Sequence, residues 1–473
     1  MQDLVIDFKD DGAHLYEQIY HHIKEEIRKG KLLCHEKLPS TRSLASYLQV
    51  SRSTVELAYE QLLSEGYIES EPCRGYFVAR VEELYQIEKA AEEKERRKTG
   101  EKKSFAVDFS PNAIDMRFFP FGIWRRISKN ALSQDKAETF ALGEAKGDVR
   151  LRETIARYLH GSRGVNCSAD QIIVGAGNDF LLLLLRYVLG EGRRAAFENA
   201  TYPRAYKIFS LFAKQMVTVP FDENGICVEE LESSGADVVY VMPSHQYPTG
   251  VVMPIGRRME LLNWASRKEG RYVIEDDYDS EFRYRGKPVP SLQASDTAGR
   301  VIYIGTFSKS IAPAIRVSFM VLPQKLLAQY ENQYAFFSST VSRLDQTVLN
   351  EFIQSGAFER HLNRMRKVYK EKHDFLMEEL KPFLKDFLLS GENAGLHVLL
   401  TDRRGRSEAE LKESAMKAGV RVYGLSEAWM GQGKKGRQGT VLLGFGGLTK
   451  EQIKTGISLL AKAWEFPRQE DHG

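Results

Sequence analysis

Val301-Ile302-Tyr303-Ile304 runs directly into Gly305-Thr306-Phe307-Ser308-Lys309. The first four residues are apolar and β-prone and read as a buried strand. The loop after them sets a lysine amine beside small hydroxyls and backbone amides at the strand's carboxyl end. Two other runs repeat the form: Val238-Val239-Tyr240-Val241-Met242 ends in Pro243-Ser244-His245-Gln246, and Tyr272-Val273-Ile274 ends in Glu275-Asp276-Asp277-Tyr278. Helical stretches alternate with these strands. That alternation implies an α/β body whose parallel sheet is covered on both faces, with ligand sites at the carboxyl ends of its strands.

The polar groups gathered there meet the demands of one cofactor, pyridoxal 5'-phosphate. Lys309 supplies an amine for its aldehyde, and Asp276 a carboxylate that keeps the ring nitrogen protonated. Gly175-Ala176-Gly177-Asn178, just ahead of an apolar helix, offers amides to a phosphate, while Thr306, Ser308 and Arg316 add hydroxyls and a cation. Tyr278 is placed to bond the ring hydroxyl and Tyr202 to stack on the ring face. Each feature alone has an ordinary reading as a turn, a capping carboxylate or a core phenol. The ordered set is what points to a site.

The first eighty residues follow a different plan. Leu15, Ile19, Ile23 and Ile27 recur every fourth residue and Gly30 follows, the stripe and stop of an amphipathic helix. A second helix is expected from Ser40, whose hydroxyl caps the run Leu44, Ala45 and Leu48. After a turn through Gln49 and Val50, a third helix starts at Ser51 and turns Val55, Ala58, Tyr59, Leu62 and Leu63 to one face. Arg52, Ser53 and Thr54 are left exposed at its N-terminal end, the positions that would enter a major groove. Gly66-Tyr67-Ile68 and Arg74-Gly75-Tyr76-Phe77-Val78 read as a β-hairpin with Gly75 at its tip. Together these elements form a winged helix-turn-helix, and the plainer alternative is a solvated three-helix cap.

With 473 residues, 42% of them hydrophobic, the chain is long enough for two or three domains. The expected organisation is a DNA-binding head over 1–80, a tether over 81–106 rich in Glu, Lys and Arg, and a cofactor-binding body over 107–473. A net charge of only +3 means that any DNA contact must come from a local arrangement of cations. Cys34, Cys73, Cys167 and Cys227 lie too far apart to suggest a disulfide framework or a metal site, which fits a reducing cytoplasm. The N-terminal stretch lacks the pattern of a secretory signal, and the apolar run 180–189 is too short for a membrane span and carries Arg186, so no membrane role is expected.

Residues 12–80 resemble the GntR regulators through Leu38-Pro39-Ser40-Thr41-Arg42-Ser43-Leu44, Val50-Ser51-Arg52-Ser53-Thr54-Val55, Gly66-Tyr67 and Arg74-Gly75. The resemblance implies that Arg42, Arg52, Ser53, Thr54 and Gly75 contact double-stranded DNA, with Glu56 an unfavourable departure close to phosphate. Residues 107–466 resemble fold-type-I, class-I aminotransferases through Phe119-Pro120, Leu151-Arg152, Gly175-Ala176-Gly177, Pro248-Thr249-Gly250, Asp276-Asp277-Tyr278, Ser308-Lys309 and Gly395-Leu396-His397. Two departures stand out. Tyr247 occupies the place of the family's Asn before Pro-Thr-Gly, with Gln246 as a substitute donor, and Leu142 aligns with the Tyr that reaches the neighbouring subunit's phosphate.

A GntR-like head on such a body is similar to the MocR/GabR regulators. That likeness implies a head-to-tail homodimer and a transcriptional regulator that senses an amino compound, of amino-acid or GABA type, by aldimine exchange at Lys309. It also implies that Arg204, Arg437 or both hold the effector's carboxylate, although Arg437 equally reads as a surface loop cation. The alternatives are a working aminotransferase with a helical appendage and a cofactor-free DNA-binding scaffold.

Overall fold

A computed structural model describes residues 6, 14–80, 105–133, 139–211, 213–284, 289–430 and 439–465. The chain divides into two compact units, Met1–Lys103 and Ser104–Gly473.

In the first unit, α1 (Leu15–Arg28) buries Ile19, Ile23 and Ile27, while Leu15, the first member of the stripe, is exposed. α2 (Thr41–Leu48) begins where Ser40 Oγ accepts the Ser43 amide at 3.1 Å, and it ends at Gln49, whose φ of +54° reverses the chain. α3 (Arg52–Ser64) is capped by Ser51 Oγ, which accepts the Thr54 amide at 3.2 Å. Its buried side chains Val55, Ala58, Tyr59 and Leu62 join the α1 isoleucines and Leu44 in one core. An antiparallel hairpin of β1 (Ile68–Glu71) and β2 (Gly75–Val78) follows, and Gly75 takes a φ of +107° that other residues rarely adopt.

The second unit is built on seven strands: β3 (Ile172–Gly175), β4 (Arg194–Glu198), β5 (Gln215–Val219), β6 (Val238–Val241), β7 (Tyr272–Asp277), β8 (Val301–Thr306) and β9 (Ser318–Val321). They lie in the order β3-β9-β8-β7-β6-β4-β5. Side chains alternate across the sheet as strand geometry requires. Tyr240, Ile274, Ile302 and Ile304 face one core cluster, and Val239, Val241, Val273 and Val301 face another that contains Trp264. α5 (Asn178–Leu189), which follows α4 (Val149–Arg163), covers the first face with Leu181, Leu182, Leu184, Leu185, Val188 and Leu189. Each such burial contributes roughly 1.5–3 kcal/mol, so this one helix anchors its own N-terminus firmly over the sheet edge.

The sheet departs from the all-parallel expectation at β9, which runs antiparallel to both neighbours. The cause is the short connection. A parallel return needs a crossover of about a dozen or more residues, usually helical, whereas the chain after β8 makes only a 3-10 turn at Pro313–Ile315 before β9. The consequence is local: Ser318 falls opposite Thr306, and Arg316 is carried back beside the lysine loop.

A second sheet, β10 (Phe387–Ser390), β11 (His397–Asp402), β12 (Tyr423–Gly424) and β13 (Thr440–Gly444), is antiparallel in the order β10-β11-β13-β12. It packs with the long helix α6 (Ala357–Leu380) through Met365, Tyr369, Leu376 and Leu380. The segment entering the unit is fixed at two points. Val107 and Asp108 pair with Val420 and Arg421, and buried Asp115 holds Lys372 Nζ at 2.6 Å. Among the described residues no helix is long and apolar enough to cross a membrane.

Candidate functional site

The carboxyl ends of β6, β7 and β8 and the N-terminus of α5 open onto one cavity, where a few polar groups converge as they do in ligand pockets. Lys309 lines it. Its Nζ donates to Pro111 O at 3.1 Å and to Asn112 Oδ1 at 3.4 Å. Burial lowers this amine to about 8, against an opposing pull from the charge of Asp279. A lysine so shifted is far more often neutral, and therefore nucleophilic, than one in water.

Asp276, at the end of β7, is 3% exposed. It accepts the Tyr240 hydroxyl and the Asn178 side-chain amide, the latter at 3.4 Å. Burial raises its carboxyl to about 7, Tyr240 opposes that shift, and the charge of Asp277 adds to it. A cation set against Asp276 would restore the carboxylate.

Thr306 and Ser308 also line the cavity. Thr306 Oγ1 accepts the Ser308 amide at 3.1 Å and the Ser318 hydroxyl at 2.9 Å. Ser308 Oγ and Asn178 Oδ1 are buried without a hydrogen-bond partner. Buried polar atoms are seldom left so, because each costs about 1–3 kcal/mol.

Tyr202 also lines the cavity, edge-on to Tyr247 at 6.0 Å between ring centroids. The Tyr278 hydroxyl lies 2.9 Å from His245 Nδ1, which is also 2.9 Å from Asp279 Oδ2, so a buried imidazole and carboxylate stand behind this phenol. Tyr247 faces the cavity, but Gln246 does not take the place of the missing Asn. Its amide donates to Ala200 O at 2.7 Å, and its oxygen accepts the Thr249 amide at 3.2 Å.

The three residues ahead of Asn178 have separate roles. Gly175 lies beneath Phe180 and Leu181, where a Cβ would meet Leu181 Cδ2 at 2.7 Å. The Ala176 amide donates to Thr340 Oγ1 at 2.9 Å. Gly177 has a φ of +89° and lies so close to the Arg316 guanidinium that a Cβ there would sit 2.3 Å from Nη2.

Arg204 and Arg316 both line the cavity and share one counter-ion. Asp179 Oδ2 lies 3.1 Å from Arg204 Nη1 and 3.3 Å from Arg316 Nη2. Arg437 lies outside the described residues. Leu142 is 86% exposed and does not line the cavity. Sequence reasoning missed Asn112, Asp179, Met242 and Ser318. Only Asp179, next to Asn178 in the first turn of an expected helix, carried a local signal.

In the first unit, Arg42 is exposed on the first turn of α2, and Arg52 and Ser53 are exposed on that of α3. Arg52 Nε donates to Glu56 Oε1 at 2.7 Å. Ser51 Oγ lies 2.8 Å from Ser53 Oγ and 2.7 Å from Thr54 Oγ1, which draws both hydroxyls toward the cap. Arg74, in the turn before Gly75, pairs with Glu71 and lies over Phe77.

Residues 15–78 match the family model of the gntR family of bacterial regulatory proteins, and residues 118–428 match that of class I and II aminotransferases. The chain is 40% identical to YdeL of Bacillus subtilis (strain 168), an HTH-type transcriptional regulator, over 96% of this chain and 97% of that one. It is 32% identical to the probable rhizopine catabolism regulatory protein MocR of Rhizobium meliloti, over 98% and 96% of the two. Among solved structures, the Pyrococcus horikoshii kynurenine aminotransferase in complex with PMP aligns with a TM-score of 0.67 at 28% identity, covering 81% of this chain and 94% of that one.

Proposed function

The chain belongs to the MocR/GabR group of GntR-type transcriptional regulators with an aminotransferase-like domain, and from that premise we propose that it binds promoter DNA and senses a small amino compound through pyridoxal phosphate held at Lys309. The observation that carries this reading is the convergence of Lys309, Asp276 and Arg316 on one cavity. The residues present fit the cofactor: a depressed amine for the aldehyde, a buried carboxyl for the ring nitrogen, and a guanidinium with hydroxyls at a helix N-terminus for the phosphate. The buried, unpartnered Ser308 Oγ and Asn178 Oδ1 lie where polar groups of such a ligand would satisfy them.

When bound, the cofactor supplies an aldehyde for which Lys309 and the effector's amine compete. The residues around it position and neutralise. Asp276 would hold the ring nitrogen and Tyr202 would stack on the ring, while Tyr278, whose hydroxyl lies 2.9 Å from His245 Nδ1, would bond the ring oxygen. Arg204 is the described cation for an effector carboxylate. In the head, Arg42 and Arg52 meet phosphates or guanine edges, Ser53 and Thr54 the backbone or thymine methyls, and Gly75 lets the hairpin approach a minor groove. Two heads in a homodimer read paired half-sites in the cytoplasm, and loss of the lysine bond together with closure over the ligand would shift the dimer between states that hold them differently.

The test is to reduce the purified protein with borohydride in the presence of pyridoxal phosphate, locate the adduct by mass spectrometry, and footprint its own upstream DNA with and without amino compounds. The expected result is an adduct on Lys309 and a footprint that changes with one class of amine. An adduct elsewhere, or none, overturns the reading. Sustained conversion of an amino donor and a keto acid without any footprint identifies a working aminotransferase instead.

A further inference from the structure

Asp179 is a carboxylate where a phosphate is expected. It stands in the first turn of α5, the helix whose N-terminus faces the cavity, and it lines that cavity with Arg204 and Arg316. One of its oxygens serves both guanidinium groups, at 3.1 and 3.3 Å. Arg316 is half-exposed but lies close to this helix end. Its backbone is left-handed, with a φ of +51°, and its guanidinium packs against the backbone of Gly177. A phosphate monoester seated at this helix end and on Arg316 would therefore displace Asp179 from that arginine and remain beside it. Like charges at that range repel even in a half-exposed site, because the pocket wall lowers the local dielectric.

We propose that Asp179 sets the anion affinity of the pocket: it competes with a phosphate monoester for Arg316 and keeps Arg204 charge-matched, so that the phosphorylated ligand is held reversibly. The inference rests on the cofactor reading above, and it assigns to this chain's own carboxylate the weakening of the phosphate seat. Asp179 is partly exposed, with a side-chain exposure of 37%, so solvent screens the effect and salt reduces it further.

The experiment compares the wild-type protein with Asp179→Asn, which keeps the side chain's shape and removes its charge. Equilibrium binding and dissociation are followed by visible absorbance for pyridoxal phosphate and for pyridoxal, which lacks the phosphate. Protection against thermal unfolding is measured with inorganic phosphate. The expected result is about tenfold tighter binding of pyridoxal phosphate by Asp179→Asn, roughly the effect of one nearby unit charge in a partly screened site. Slower release, no change for pyridoxal, and a gain that shrinks with added salt should accompany it. Unchanged or weaker binding of pyridoxal phosphate overturns the proposal and makes Asp179 a residue that positions Arg316.

If neither aldehyde binds the wild-type protein, the cofactor reading fails. The inorganic-phosphate measurement then still decides the role of Asp179: greater protection of Asp179→Asn supports it and equal protection overturns it. Should the Asn variant not fold, Asp179→Ser carries the same expectation.

Discussion

Two sites in this molecule offer arginines to anions, and each holds them with a carboxylate. In the head, Arg52 is bonded to Glu56 one helical turn away, with both side chains well exposed. In the body, Arg204 and Arg316 share Asp179 at the edge of a cavity, joined by residues far apart in the chain. An exposed pair spaced i,i+4 on a helix contributes only about 0.3–0.5 kcal/mol, so Arg52 changes partner readily when a phosphate approaches. Along the cavity wall the exposures are similar, 58% and 48% for the two arginines and 37% for Asp179, but there one carboxylate serves two cations on a concave wall. The head's cation is thus matched by one carboxylate on its own helix, while the body's two cations share a single carboxylate that itself lines the ligand's cavity.

The largest effect that tests this contrast lies at Lys309. Lys309→Ala is expected to abolish covalent capture of pyridoxal phosphate, read as loss of the visible absorbance, and with it the response to amines. Promoter affinity, measured by mobility shift, should stay at the wild-type level. A parallel fall in promoter affinity would mean that the head depends on the body's chemistry, and the contrast would break. Next comes Arg52→Ala, which should cost about 1–3 kcal/mol of operator binding, as loss of a base-contacting arginine does. The variant's absorbance should be unchanged. Retained operator binding would show that α3 is not the reading helix.

A third measurement is the pH dependence of cofactor capture. With the Lys309 amine lowered to about 8 by burial, its neutral form is the minority at pH 7 and the majority at pH 9. The rate of imine formation should rise about tenfold over that interval and then level off, since the rate follows the neutral fraction. An ordinary lysine, with a pKa of about 10.4, would keep accelerating beyond pH 10. Stopped-flow absorbance separates the two curves, and continued acceleration would show that burial does not tune this amine.

The contrast between head and body also governs what was legible in the sequence. The head's elements are local: a stripe of isoleucines, two serine caps and a glycine turn lie within about seventy contiguous residues, and propensity and capping rules reach that far. β6, β7 and β8 were equally plain, because each buried run ends in the polar groups that line the cavity. The second sheet was not read, since its strands pair residues as far apart as His397 and Gly444, with no short-range turn to announce them. β9 was missed for a related reason, its direction being set by the length of a connection rather than by its own composition. Asn112 reaches the Lys309 amine only because pairing at Val107 and the buried Asp115–Lys372 bond fix the chain on either side of it. Gln246 reads as a substitute donor only from its neighbour's position in a motif, while its actual partners, Ala200 and Thr249, follow from the fold around it.

The smallest expected effect is at Glu56, and it probes the head's half of the comparison directly. Glu56 bonds Arg52 in the free protein, and on DNA it would stand close to the phosphates that Arg52 meets. Glu56→Gln keeps a hydrogen-bond acceptor for Arg52 while removing both the competition and the repulsion. The variant should bind its operator about threefold more tightly at low salt, a modest gain because the pair is exposed and weak to begin with. The advantage should vanish as ionic strength rises and the Debye length falls below the separation of the charges. A gain as large as that expected for Asp179→Asn would mean that the concave wall and the shared carboxylate add nothing to the effect of a single nearby charge. A loss would mean that Glu56 orients Arg52 for its contact and restrains it in the head as Asp179 would if it served only to position Arg316.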